Sequence, residues 1–388
     1  MPKYYLSGTS PKGRRVTHQI EANSVADAQR GMIDRGWSDV VAHTDNIAAI
    51  NHIEVPDNPF SPEEMIRLGG MSQLQFFFLM LRKLYAQSLQ TALIGVAGVA
   101  FGLFDGGWLP LVVGLALLLF PLLLAVLSAV GSKGKRRYDA LVAAAAWYRW
   151  DEVERLLPLQ SASLPIAERA YREAQILAGR GDIQAALQRH DGLIAGHNIP
   201  EWFVCGRHAV LYLIANKAHW AANQTAGTNQ RLESPYLDDV IRKYEEAIEL
   251  SPEQSVTLID LAKTVLKYRR DARRARELLE QSQDLVTVEL AMIYREYVNG
   301  IIALEENSAD EAVELISEFQ EEFSHLSGSP DAQAAIDESR AFLVLAYALA
   351  GNDERAHQQF RLCEPRLIAT NELELLARCR KALGLNQR

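Results

Sequence analysis

An uncharged apolar block constrains this chain more than any other feature. No charged residue lies between Leu84 and Phe104, Asp105 interrupts, and Gly106–Gly131 is again free of charge. A membrane-spanning helix needs about 20 apolar residues. Leu111–Val130 (LVVGLALLLFPLLLAVLSAV) meets that length unaided. The preceding segment has an apolar core, TALIGVAGVAFGLF, and reaches spanning length only by taking in Leu84–Gln90, which carries Gln87 and Gln90. Between them, Asp105-Gly106-Gly107 is turn chemistry, Pro110 suits a first helical turn, and Trp108 suits a membrane–water boundary.

So short a turn makes the two helices antiparallel, and residues 84–131 read as a transmembrane helical hairpin. Arg82 and Lys83 precede it, Lys133, Lys135, Arg136 and Arg137 follow it, and the turn has no basic residue. The positive-inside rule then places both ends of the chain in the cytoplasm, at an inner (plasma) membrane. These six residues are the expected juxtamembrane basic anchor against anionic lipid. Residues 1–30 lack the apolar stretch of a cleavable signal. Gly98 and Gly102 form a GxxxG pattern, with Gly95 and Ala97 nearby. Small residues let helices approach closely, either within the hairpin or against a second copy of the chain as a homo-oligomer. Pro121 is expected to kink the second helix. No ionisable residue sits mid-span, which argues against a transporter or proton relay.

The flanking segments differ in kind. Residues 56–83 form a linker and juxtamembrane helix: three prolines in Glu54–Pro62, then Ser61-Pro62-Glu63-Glu64 as a helix start and Gly69-Gly70 as an interruption. Leu74–Leu81 (LQFFFLML) suits either a headgroup boundary or burial against protein. Residues 1–55 read as a small α/β module. Lys3–Ser7 and Arg15–Ile20 are strands around the turn Ser10–Gly13, with Lys12, Arg14 and Arg15 at its basic tip. Ser24 caps a helix to about Arg35 with Val25, Ala28, Met32 and Ile33 on one face, Gly36 ends it, and Asp39–His43 returns as a third strand. Tyr4-Tyr5, the Gly turn, Ile20-Glu21-Ala22-x-Ser24-x-x-x-Ala28 and Gly36 together resemble the N-terminal segment of type II secretion F family proteins. The resemblance covers about 45 residues and implies a cytoplasmic module beside a membrane. The helical bundle repeat and membrane spacing of that family are absent.

Residues 138–388 read as helix almost throughout. Ile166–Gly179, Arg180-Gly181-Asp182 and IQAALQRHDGL form one helix–turn–helix unit. Tyr297–Glu305, Glu306-Asn307-Ser308 and ADEAVELISEF form another, and Ala341–Ala350, Gly351-Asn352-Asp353 and ERAHQQFRLCE a third. Each places an alanine early in its second helix, and Tyr244–Pro252 is a further half-unit. This pattern resembles the tetratricopeptide repeat (TPR) family in degenerate form, without its Trp-x-x-Leu-Gly start. The resemblance implies a TPR-like α-solenoid that binds protein partners on a concave face. A plain helical bundle is the alternative.

Charge divides the chain. Residues 1–137 carry 13 basic and 10 acidic residues, and the remainder carries 27 and 39. With a net charge of −9, the chain is not expected to bind nucleic acid. Lys267-Tyr-Arg-Arg-Asp-Ala-Arg-Arg-Ala-Arg276 is a local basic run. Placed on a helix, it is either a solvated face paired with Glu277 and Glu280 or a site for an acidic peptide. Gly8–Arg14 lacks the Lys-Ser/Thr of a phosphate loop, and no G-x-S-x-G, H-E-x-x-H or C-x-x-C occurs. His190, His197, His208 and His219 show no metal-site spacing, and Cys205 reads as a buried helix cysteine. No catalytic, cofactor or metal residue is therefore assigned. The expected class is mainly α, and the expected role is a membrane-anchored, non-enzymatic adaptor or scaffold. A structural subunit or assembly factor of a secretion- or pilus-type membrane complex is the second reading, and a membrane-bound enzyme without a recognisable motif the third.

Overall fold

A computed structural model describes residues 3–9, 15–21, 24–43, 62–105, 107–225, 235–285, 289–324 and 330–385. The molecule is mainly helical. Strand β1 (Lys3–Thr9) pairs antiparallel with both β2 (Arg15–Glu21) and β3 (Ser38–His43), giving the order β2-β1-β3. Helix α1 (Val25–Asp34) connects β2 to β3, and the Ser24 hydroxyl accepts the Asp27 amide at 3.1 Å as its N-cap. Ala28 and Met32 are buried; Ile33, expected on the same face, is exposed. The proline-rich linker and the expected cap at Ser61 lie outside the described residues.

Helix α2 (Pro62–Gly70) stops at its two glycines. Helix α3 (Gln73–Gln87) restarts with a capping box between Ser72 and Gln75. Then come α4 (Leu89–Asp105) and α5 (Trp108–Gly131). Helix α5, with 24 residues, is long and apolar enough to cross a membrane alone. The first span requires a correction. A continuous helix from Leu84 is expected from the apolar run, yet it breaks at Ser88, and α3 and α4 are bent by 84°. The Ser88 hydroxyl donates to the Leu84 carbonyl at 2.6 Å, a local bond that competes with regular helix. Helix α4 alone has 17 residues, or about 25 Å at 1.5 Å per residue. It packs along α5, while α3 crosses α5 with Phe76 beside Ala129 and the Tyr85 hydroxyl donating to the Leu118 carbonyl at 2.5 Å.

Only Ser132 separates α5 from α6 (Lys133–Ala146), which leads to α7 (Trp150–Leu156). Five helix pairs follow: α8 (Ile166–Gly179) with α9 (Ile183–Ile194), and α10 (Glu201–Thr225) with α11 (Leu237–Leu250). The others are α12 (Ser255–Arg269) with α13 (Ala272–Ser282), α14 (Glu289–Glu305) with α15 (Ala309–Ser324), and α16 (Pro330–Leu349) with α17 (Asp353–Ala369). Helix α18 (Leu373–Ala382) ends the stack.

The turns share one design. A left-handed residue ends the first helix, and a polar residue starts the next: Gly181 before Asp182, Arg270 before Asp271, and Gly351 before Asn352. Asp182, Asp271 and Asn352 each accept the amide three residues on. This corrects the reading of Lys267–Arg276 as one helix: Arg270, at φ 57°, breaks it into the end of α12 and the start of α13. Ala186, Ala275, Ala312 and Ala356, early in the second helices, are all fully buried, so the paired backbones approach closely. The last pairs return to the first elements. Helix α16 packs on α6, and Arg366 of α17 donates to the Ala146 carbonyl of α6 at 2.7 Å.

Candidate functional site: a charged cleft in the helical domain

The first helix of each pair faces a common interior. Helices α8, α10, α12, α14 and α16, together with α6 and the end of α17, line a cleft of about 540 Å³. Its walls carry aromatic faces (Tyr148, Trp150, Tyr171, Tyr294) and an unusual density of charge. At the centre, Lys267 donates to Glu338 and to Glu372, each at 2.7 Å. Lys217 pairs with Glu372 at 2.5 Å and reaches the Tyr148 hydroxyl at 2.9 Å. Lys263 donates to the Tyr294 hydroxyl at 2.6 Å and stands 3.5 Å from Glu338. Three lysines thus share two glutamates across α10, α12, α16 and the start of α18.

Burial alone would neutralise these groups, but mutual attraction outweighs it. Against the opposing effect of burial, the lysines hold Glu338 well below the usual carboxylate range and lower Glu372. The glutamates in turn raise Lys217, Lys263 and Lys267 despite their desolvation. Every member therefore stays charged near neutral pH. Neither a neutral lysine nucleophile nor a carboxylate poised as a general base arises from this network. Its chemistry is that of a fixed electrostatic surface.

A second set of cations flanks it. Arg172 pairs with Glu168 at 2.7 Å and donates to Gln175 at 3.0 Å. Arg207 lies over the Tyr171 and Phe203 rings, 4.2 and 4.8 Å from their centres, and forms no ion pair among the described residues. Arg366 is 8% exposed, and its Nη1 has no hydrogen-bond partner; the nearest carboxylate oxygen, of Asp337, is 3.8 Å away. Asp337 is already held by Arg340 at 2.9 Å.

A separate cluster joins α9 and α10. One oxygen of the Asp191 carboxylate faces His208 Nε2 at 2.8 Å and His190 Nδ1 at 3.3 Å. The three could each offer a ligand atom to a metal ion. As they stand, one carboxylate oxygen meets both rings, and His190 Nε2 is buried without a partner. Burial lowers both histidines, so they are neutral rings. The spacing of these residues in sequence did not bring them together; the α9–α10 packing does.

The residues singled out from the sequence divide by location. A Cβ added at Gly98 would meet the Pro110 carbonyl at 3.1 Å and Gly114 Cα at 3.2 Å, and one at Gly102 would strike Leu111. Their neighbour is α5 of the same chain. Of the basic collar, Arg82, Lys83, Lys133 and Lys135 are exposed, with Lys135 paired to Asp139 at 2.5 Å. Arg136 instead stacks 3.6 Å over the Phe76 ring and donates to the Leu68 carbonyl at 2.8 Å, and Arg137 reaches the Leu159 carbonyl at 3.4 Å. The three cysteines, Cys205, Cys363 and Cys379, are buried, and desolvation pushes the Cys379 thiol up to about 12.

Within the basic run, Lys267 is buried in the cleft network, which corrects its reading as part of a solvated face. The outer arginines do pair with carboxylates: Arg270 with Glu305 at 2.7 Å and Arg276 with Glu306 at 2.6 Å. Lys217, Lys263, Glu338 and Glu372 went unmarked in the sequence. Their only local sign is a charge inside an otherwise apolar helical face, as at Glu338 within AAIDESRAFLVLAYAL.

Comparison with protein-family models, with curated proteins and with solved structures finds no match to this chain.

Proposed function

We propose that the chain is a membrane-anchored, non-enzymatic adaptor whose cytoplasmic, TPR-like domain takes a segment of a partner protein into the central cleft. The observation that carries this reading is the convergence of the first helices of all five pairs on one polar, aromatic-lined cavity of about 540 Å³. A cavity of this size accommodates a drug-sized ligand or a short peptide. In this reading α4 and α5 form a hairpin in the inner membrane, with the small N-terminal α/β module and the helical domain both in the cytoplasm. Confinement at the membrane raises the effective concentration of whatever docks.

The Lys–Glu network supports binding over turnover, because its lysines and glutamates hold one another charged near neutral pH. The test is site-specific photo-crosslinking of the full chain in native membranes. A crosslinker at Ala334, in the cleft wall, is expected to give a discrete partner adduct, whereas one at the exposed Arg273 gives none. Equal adducts from both positions, or none from Ala334, would reject the reading. Co-purification of the adduct partner in fixed stoichiometry would favour the assembly-factor variant instead.

A further inference from the structure

Five cationic and four acidic side chains line the cleft, a small positive balance although the chain as a whole is acidic. Three lysines share Glu338 and Glu372, two arginines share Asp337, and Arg207 has no carboxylate partner among the described residues. Arg366 and Arg207 both line the cleft. Arg366, nine-tenths buried, keeps Nη1 without a hydrogen-bond acceptor in the cleft wall. A buried donor left unpaired is costly, more so for a charged group, and an anionic acceptor relieves that cost. Arg207 lies over the Tyr171 and Phe203 rings, which place it in the cleft wall.

Resting on the docking reading above, we propose that the cleft recognises a carboxylate of an acidic peptide segment, with Arg366 and Arg207 as its binding residues. Planar guanidinium groups match a carboxylate with two parallel hydrogen bonds. The remaining lining separates a peptide from a bare anion or a lipid headgroup. Glu168, Asp331, Glu338 and Glu372 also face the cleft. These carboxylates can accept hydrogen bonds from the backbone N–H groups of a peptide, which a bare phosphate lacks. The tyrosines and Trp150 supply faces for its side chains.

The test uses the full chain in neutral-lipid nanodiscs and three fluorescent decapeptides: all-glutamate, all-lysine and alternating Gly-Ser. Anisotropy is expected to show binding of the glutamate peptide alone, weakening as salt is raised. The net charge of −9 on the chain makes non-specific attraction of that peptide unfavourable. Arg207→Gln and Arg366→Gln are each expected to weaken it roughly tenfold or more. Arg366 also ties α17 to α6, so its variant counts only if helicity is retained; half-exposed Arg207 provides the independent test. Binding of the lysine or Gly-Ser peptide as tightly as the glutamate peptide overturns the carboxylate assignment while leaving docking in the cleft intact. So does displacement of the bound peptide by phosphatidylglycerol vesicles with the same arginine dependence, which would assign the cleft to lipid. Binding that ignores both arginines also overturns the assignment, and absence of binding by all three peptides counts against both it and the docking reading.

Discussion

Glu372 shows how much a single side chain can hold together. It is 7% exposed and accepts from Lys217, Lys267 and Tyr268, which lie on α10 and α12, more than a hundred residues upstream. Glu372→Gln leaves two buried lysines with one carboxylate fewer, so a loss of about 3 kcal/mol is expected in urea unfolding of the full chain in detergent. Adding Lys217→Met should recover part of that loss, because the uncompensated charge goes with it. The histidine pair predicts a pH dependence. His190 and His208 have folded-state values below their ordinary 6.5, with burial as the main cause. The unfolded chain therefore binds protons first, and stability falls as pH drops below about 6.5. Denaturation midpoints between pH 7.5 and pH 5 should show this fall, and His190→Gln should flatten it.

At the level of elements, close approach and caps decide the packing. Gly114 sits where any Cβ would strike Val99 and the Gly95 carbonyl. Gly114→Leu is therefore expected to pry α4 from α5 and lower thermal stability in detergent by about 1–3 kcal/mol. Arg136 does a different task from its basic neighbours, clamping α2 and α3 onto α6 through Leu68 and Phe76. Arg136→Ala should speed amide exchange across 62–70, and Arg136→Lys should not restore protection, since an ammonium cannot stack flat on Phe76. The helix–turn–helix units were visible in sequence where the left-handed position is Gly181 or Gly351. They were hidden at Arg270, where a residue that disfavours positive φ occupies the same position and made one basic run look continuous.

For the molecule as a whole, the consequential feature is that the helical stack meets its own beginning, through α16 on α6 and Arg366 on Ala146. If α4 and α5 cross the bilayer as a hairpin, the turn between them faces the exterior. A cysteine at Trp108, 73% exposed, should then react with an impermeant maleimide added to intact cells. The buried native cysteines give little background. Protection of this site from outside would mean that the 17-residue α4 does not complete a crossing.

The amino-acid sequence by itself determined what depends on neighbours along the chain: the 24-residue apolar helix α5, the alternation of helix and capped turn, and the buried alanines of the second helices. Hydrophobic periodicity and turn chemistry act over a few residues, so they can be read there. Tertiary structure alone decided which charges meet, because Lys217 and Glu372 are joined where α10 meets the start of α18 and not by any local rule. It also decided the bend at Ser88, where an uncharged run conceals two helices that both pack on α5. Composition tells how greasy a segment is; only its partners fix the direction in which it runs.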